Sequence, residues 1–204
     1  MGWIIAGRAR ETPNPHRVGI YLLTLAFEWI LLGYVIGGMR RHGASISLVL
    51  GNRWQSARHL LRDIGIAAGF WLISAGILAL VARLLHIESN AANVQFLLPR
   101  KPIEYVLWVA LAVTAGICEE AIFRGYLQHQ FIAVTRSAAA GIVLSSAAFG
   151  LAHAYQGSQM IVLLGVYGLM FGILAHWRGS VRPGMIAHAW QDSFSGILGA
   201  LMRH

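Results

Sequence analysis

The stretch IEYVLWVALAVTAGICEEAIFRGYLQH, residues 103–129, decides how the chain folds. It opens with an apolar block from Ile103 to Cys118 that, as a helix, reaches across most of a hydrocarbon layer about 30 Å thick. Glu119 and Glu120 follow directly. Beyond Cys118 no Gly or Pro interrupts the pattern until Gly125, so the helix is expected to run on through Glu119, Glu120 and Arg124 towards His129. Two adjacent carboxylates then lie inside an apolar helix. A charge at membrane depth costs about 3 kcal/mol or more, so the pair needs a structural or chemical reason.

On either side the chain repeats the apolar pattern. The candidate spans are Val18 to Met39, Ile64 to Val81, Ile103 to Cys118, Ser137 to Tyr155, Met160 to His176 and Met185 to Met202. Of 204 residues, 57% are hydrophobic and 12% charged, about half the roughly 25% charge of soluble domains. The expected fold is all-α: one polytopic transmembrane helix bundle over residues 1–204, with about six spans, since unpaired backbone groups cannot face lipid and strand periodicity is absent. The segment Ser45 to Arg62 mixes apolar residues with Arg53, Arg58, His59 and Arg62, and reads as an interfacial helix. Glu88 to Pro102 is the most polar connection and the expected longest loop. Arg8, Arg10 and Arg17 precede the first block as in a signal peptide. That block is too long, however, and ends in Gly37-Gly38-Met39-Arg40-Arg41 without an A-x-A-like site, so it reads as a retained span. A multi-pass protein of the cell inner membrane is expected.

The formal charge of +8 raises the question of nucleic acid. The arginines flank apolar blocks, as at Arg40 and Arg41, Arg100 and Lys101, and Arg178 and Arg182. They are expected to meet lipid headgroups rather than form one basic face, and no nucleic-acid partner is expected. Cys118 is the only cysteine, which excludes an intrachain disulfide and a multi-cysteine metal site. Its place beside Glu119 invites a thiol-protease reading, but a nucleophilic cysteine needs an identifiable activating base or positive site, and it reads as a small apolar helix residue. The spacings of Gly33 with Gly37 and of Gly168 with Gly172 would let helices approach closely, as bundle packing rather than a dedicated dimer device. Oligomeric state is not legible.

Among the eight acids, Glu28, Glu119, Glu120 and Asp192 fall in or at the edge of spans, joined by His153 and His188. On a helix, residues four apart share a face. Glu120 therefore pairs with Arg124, acid before base, and neutralises itself locally. Glu119 has Phe123 on its own face and is the free carboxylate, hence the candidate for chemistry. His153 has Phe149 one turn away, an aromatic suited to walling the imidazole from lipid. His188 lies four residues before Asp192, so that imidazole and carboxylate can meet on one face and the acid can hold the ring's tautomer. Glu28 has no partner legible in the sequence.

The set EExxxR (Glu119, Glu120, Arg124), FxxxH (Phe149, His153) and HxxxD (His188, Asp192), in that order on successive apolar helices, resembles the CPBP family. This group of CAAX proteases and bacteriocin-processing proteins includes the type II CAAX prenyl endopeptidases. Each motif is weak alone; the ordered set is specific. The resemblance covers about Ile103 to Met202, and the first two spans match only in being apolar. It implies an intramembrane endopeptidase acting on a membrane-associated or prenylated peptide. Glu119 and His153 would activate water, and His188 and Asp192 would stabilise the oxyanion, with Glu120, Arg124 and Phe149 in support. Low solvation is the setting in which a carboxylate can take a proton from water near neutrality. Preset oxyanion donors contribute about 3 kcal/mol each. An ionised Asp192 cannot donate, so it would act protonated or by orienting His188.

One Glu and two His, namely Glu119, His153 and His188, also make a three-ligand zinc set, and the family is often labelled metalloprotease. No H-E-x-x-H helix is present, and the metal-free route with no cofactor is preferred. The competing function is a non-catalytic immunity protein or peptide-binding membrane scaffold that uses the same cavity. Proton-coupled transport is disfavoured because the buried groups form no series along one helix.

Overall fold

In hydrocarbon every backbone N–H and C=O must find its partner within the chain, and a helix achieves this segment by segment. The computed structural model, which describes residues 16–51, 53–86 and 97–202, turns each apolar block into a helix, with no strand among the described residues. The order is α1 (Arg17–Arg41), the single turn α2 (Ser47–Leu50), α3 (Ala57–Leu84), α4 (Pro102–Glu119), a π-helical segment (Glu120–Leu127), α5 (Gln128–Thr135), α6 (Ala138–Ala152), a 3-10 turn (Ala154–Gln156), α7 (Ser158–Arg178) and α8 (Arg182–Leu201). The chain is thus an all-α membrane bundle.

Among the described residues four helices are long and apolar enough to cross a membrane: Arg17–Arg41, Ala57–Leu84, the continuous rod Pro102–Thr135, and Ser158–Arg178. The other two expected spans are helices of a different kind. Helix α6 has 15 residues and reaches only about 22 Å. Helix α8 has 20 residues, but Gln191, Asp192 and Ser195 dilute its apolar character. Both carry site residues, and short or polar helices are tolerated where protein rather than lipid surrounds them.

Local chemistry sets the boundaries. Pro102 opens α4, and Glu104 accepts from the backbone N–H groups of Arg100 (2.7 Å) and Lys101 (3.2 Å), satisfying donors that no helical carbonyl can reach. Ser56 and Ser137 cap α3 and α6 through their hydroxyls. Arg136, at φ 55°, reverses the chain between α5 and α6. The π-helical segment was not expected. Its wider turn falls on Glu120 and Arg124, and such bulges concentrate at functional sites.

Close approach of backbones brings the elements together. A Cβ on Gly125 would lie 2.4 Å from the Val49 carbonyl oxygen, so only glycine lets α2 seat on the π-helical segment. A Cβ on Gly116 would meet the backbone of Met185 and Ala189 at 2.8 Å, which sets the spacing of α4 and α8. Gly168 and Gly172 likewise face α6 and the central rod, in line with bundle packing. Gly33 and Gly37 have nothing within 4 Å and bring no helices together in the bundle. Helix α1 packs on α4 through Tyr21 against Trp108 (centroids 5.8 Å) and Arg17 with Glu104 (3.1 Å), while Leu23, Phe27, Ile30 and Tyr34 point outward.

The stretch 45–62 does not form one interfacial helix. Ser47–Leu50 makes a single turn with Val49 wholly buried, and the cap at Ser56 starts the long α3, so that Arg58, His59 and Arg62 ride on its first turns. Arg8, Arg10 and residues 87–96 of the polar connection lie outside the described residues.

Candidate active site

Three segments that the sequence marked converge: the junction of α4 with the π-helical segment, the end of α6, and the first half of α8. Glu119 is the last residue of α4. Its Oε2 is buried, makes no hydrogen bond, and lies 4.0 Å from His153 Nε2 and 3.9 Å from His188 Nε2. Atoms this close leave no room for a water on the line between them, but a water at about 2.8 Å from the carboxylate oxygen and from a ring nitrogen could bridge them from one side.

His153 sits just past the end of α6, where helical carbonyls lack amide partners. Its Nδ1 lies 2.9 Å from the Phe149 carbonyl oxygen. A carbonyl can only accept, so Nδ1 carries the proton and Nε2 presents a lone pair towards Glu119. The Phe149 ring, 1% exposed, lies 4.7 Å from the imidazole and meets Phe123 edge-on.

Glu120 is fully buried, and Oε1 accepts from Arg124 Nη1 at 2.8 Å and from His188 Nδ1 at 3.1 Å. The expected i,i+4 pair therefore forms, but it is not self-contained. It also orients the histidine of α8, a role that the sequence pattern assigned to Asp192. The Arg124 guanidinium donates to the Gly168 carbonyl (3.2 Å) and stacks 4.2 Å over Phe149 and 5.1 Å from the Phe171 centroid. Its charge is met by a carboxylate, a carbonyl and two ring faces, which makes burial at 1% exposure tolerable.

His188 is 4% exposed, lies flat on Phe171 (5.3 Å, 29° between planes) and is edged by Phe149 and Tyr167. Asp192 Oδ2 is 3.5 Å from its Nε2 and the side chain is 38% exposed, so this acid is the wet rim of the cluster. The Asp192 carbonyl accepts from Trp108 Nε1 at 2.9 Å, tying α8 to α4. Sequence reasoning missed Tyr167 and Phe171, whose aromatic character in an apolar helix carries no signal. It noted Glu28 without a partner; that half-buried residue has Glu119, His188 and Cys118 as electrostatic neighbours, so α1 turns an acid towards the site. Cys118 is 0% exposed and packs beside Leu32, Val49 and Ala121.

The donor set suits zinc in chemistry, with one carboxylate and two imidazoles whose Nδ1 atoms are both engaged. In spacing it does not fit. Donors sharing a tetrahedral ion at about 2.1 Å lie about 3.3 Å apart, whereas Glu119 Oε2 lies 3.9–4.0 Å from each of the two ring nitrogens. Among the described residues no three His, Cys, Asp or Glu are gathered to hold an ion. No step is derived through a metal.

The residues of this cluster all fall within a region with recognisable relatives. Residues 101–194 match the family model described as type II CAAX prenyl endopeptidase Rce1-like. No curated protein and no solved structure matches the chain.

Proposed function

We propose, on the premise of the match of residues 101–194 to the type II CAAX prenyl endopeptidase Rce1-like family model, that the chain is a membrane protease of that family and hydrolyses a peptide bond within the bilayer by glutamate- and histidine-activated water. The observation that carries this reading is the Glu119 Oε2 atom, buried without a hydrogen bond and 3.9–4.0 Å from the Nε2 atoms of His153 and His188, close enough for one water to bridge carboxylate and imidazole from the side.

In the proposed reaction a water bridging these atoms is polarised by His153 Nε2 and gives its proton to Glu119 as its oxygen attacks the scissile carbonyl. The developing oxyanion accepts a hydrogen bond from Nε2–H of His188 in its imidazolium form, since the Nδ1–H of that ring already donates to Glu120. Glu120 holds the opposite face of that ring and Asp192 flanks it, so the donor is preset. Collapse of the tetrahedral intermediate breaks the C–N bond, and Glu119 returns the proton to the leaving amine. Aromatic walls from Phe149, Phe171 and Tyr167 exclude lipid and bulk water, which strengthens each interaction. The substrate is a membrane-embedded or lipidated peptide, in keeping with the family's description.

The test compares peptide termini by mass spectrometry in membranes containing the wild type or Glu119→Gln. A terminus present only with the wild type is expected. Identical termini, with cellular function intact in the variant, would instead establish a peptide-binding scaffold.

A further inference from the structure

A second polar cavity opens at the end of the bundle where α3 begins, α7 ends and α8 begins, with a volume of about 230 Å³. Four guanidinium groups line it, from Arg53, Arg62, Arg178 and Arg182, together with Trp54 and the single carboxylate of Asp63. Far apart in sequence, these arginines form one basic concavity instead of scattered flanking charges.

The carboxylate does not neutralise them. Asp63 is 3% exposed and both its oxygens are engaged, Oδ1 by Arg178 Nη2 at 2.8 Å and Oδ2 by Trp54 Nε1 at 2.9 Å. Arg62 Nε stands off at 3.7 Å. Arg182 donates to the Leu50 and Gly51 carbonyls and stacks 4.3 Å over the Trp54 ring, so its orientation is set before any ligand arrives. Arg178 Nε is buried without a hydrogen-bond partner, and Arg53 lies close enough to Arg182 for the two charges to repel. Four cations against one acid leave three positive charges around a preformed hollow. Guanidinium forks match tetrahedral oxyanions, and the cavity lies at the helix ends, where an exposed Trp and arginines meet headgroups.

We propose that this pocket, separate from the Glu119 site, binds a phosphoryl group, supplied by an anionic phospholipid headgroup. The proposal does not rest on the peptidase reading.

The full chain is reconstituted in nanodiscs of phosphatidylcholine with and without phosphatidylglycerol, and separately titrated in neutral detergent with inorganic phosphate. Lipid retention by native mass spectrometry and apparent Tm are read for three proteins. These are the wild type, R53Q/R62Q, which removes two exposed pocket cations, and R40Q/R41Q, which removes two exposed cations from the end of α1 outside the pocket. Phosphatidylglycerol retention is expected on the wild type and R40Q/R41Q and should fall at least about tenfold on R53Q/R62Q, as loss of charge-assisted bonds dictates. If phosphate alone raises the Tm of the wild type but not of R53Q/R62Q, the pocket stands and its ligand is a soluble phosphoryl compound. Equal losses in both variants, or no response of the wild type to either probe, overturn the proposal.

Discussion

His188 Nδ1 lies 3.1 Å from Glu120 Oε1, a side-chain contact between the central rod and α8 across 68 residues of sequence. It places the acid of the Glu120–Arg124 pair behind the histidine whose other nitrogen faces Glu119 and Asp192. A structural ion pair and the proposed chemistry thus share a carboxylate, and substitutions around it should separate stability from activity.

Glu119→Gln is expected to leave folding intact, because the Oε2 atom it neutralises has no hydrogen bond to lose. Peptide cleavage should fall by about 10²–10⁴-fold, the usual contribution of a general base. Cleavage assays paired with thermal unfolding in detergent check both halves, and a variant retaining wild-type turnover removes Glu119 from the chemistry.

Arg124→Met should do the opposite and act first on stability. It leaves Glu120, which is 0% exposed, without its arginine and held by His188, and breaking a buried pair costs about 3–5 kcal/mol. A large drop in apparent Tm and in the yield of monodisperse protein is expected. A Tm unchanged by this variant would show that the pair is dispensable to the fold.

Gly125→Ala and Gly33→Ala form a matched comparison on two membrane helices. The added methyl at 125 meets the Val49 carbonyl oxygen at 2.4 Å, whereas at 33 nothing lies within 4 Å. Overpacking should cost about 1–3 kcal/mol at position 125, while position 33 should be neutral or slightly stabilised by the better helix former. Thermal melts of the two variants side by side decide it, and equal melts would contradict the seating of α2.

Activity is expected to survive exhaustive chelation, since Glu119 Oε2 stands 3.9–4.0 Å from the His153 and His188 nitrogens, wider than a shared zinc ion requires. Elemental analysis and assays before and after a strong chelator provide the check. Stoichiometric zinc that restores lost activity would replace the water-only mechanism with a metal-assisted one.

The sequence by itself determined the helical class, the position of each apolar block and the pairs that lie four residues apart: Glu120 with Arg124, Phe149 with His153, His188 with Asp192. These follow from helical periodicity and from the cost of unpaired polar groups in hydrocarbon, both of which act within a turn or a span. Only the tertiary structure decided what crosses between helices. Gly168 and Gly33 carry the same local spacing signal, yet one faces a packed helix and the other open space. The contact of Glu120 with His188, the approach of Glu119 to two imidazoles, the basic pocket drawn from Arg53, Arg62, Arg178 and Arg182, and the π-helical turn beneath α2 all depend on how each helix is rotated about its axis. That rotation is set by side-chain packing between segments remote in the chain, where no local periodicity applies.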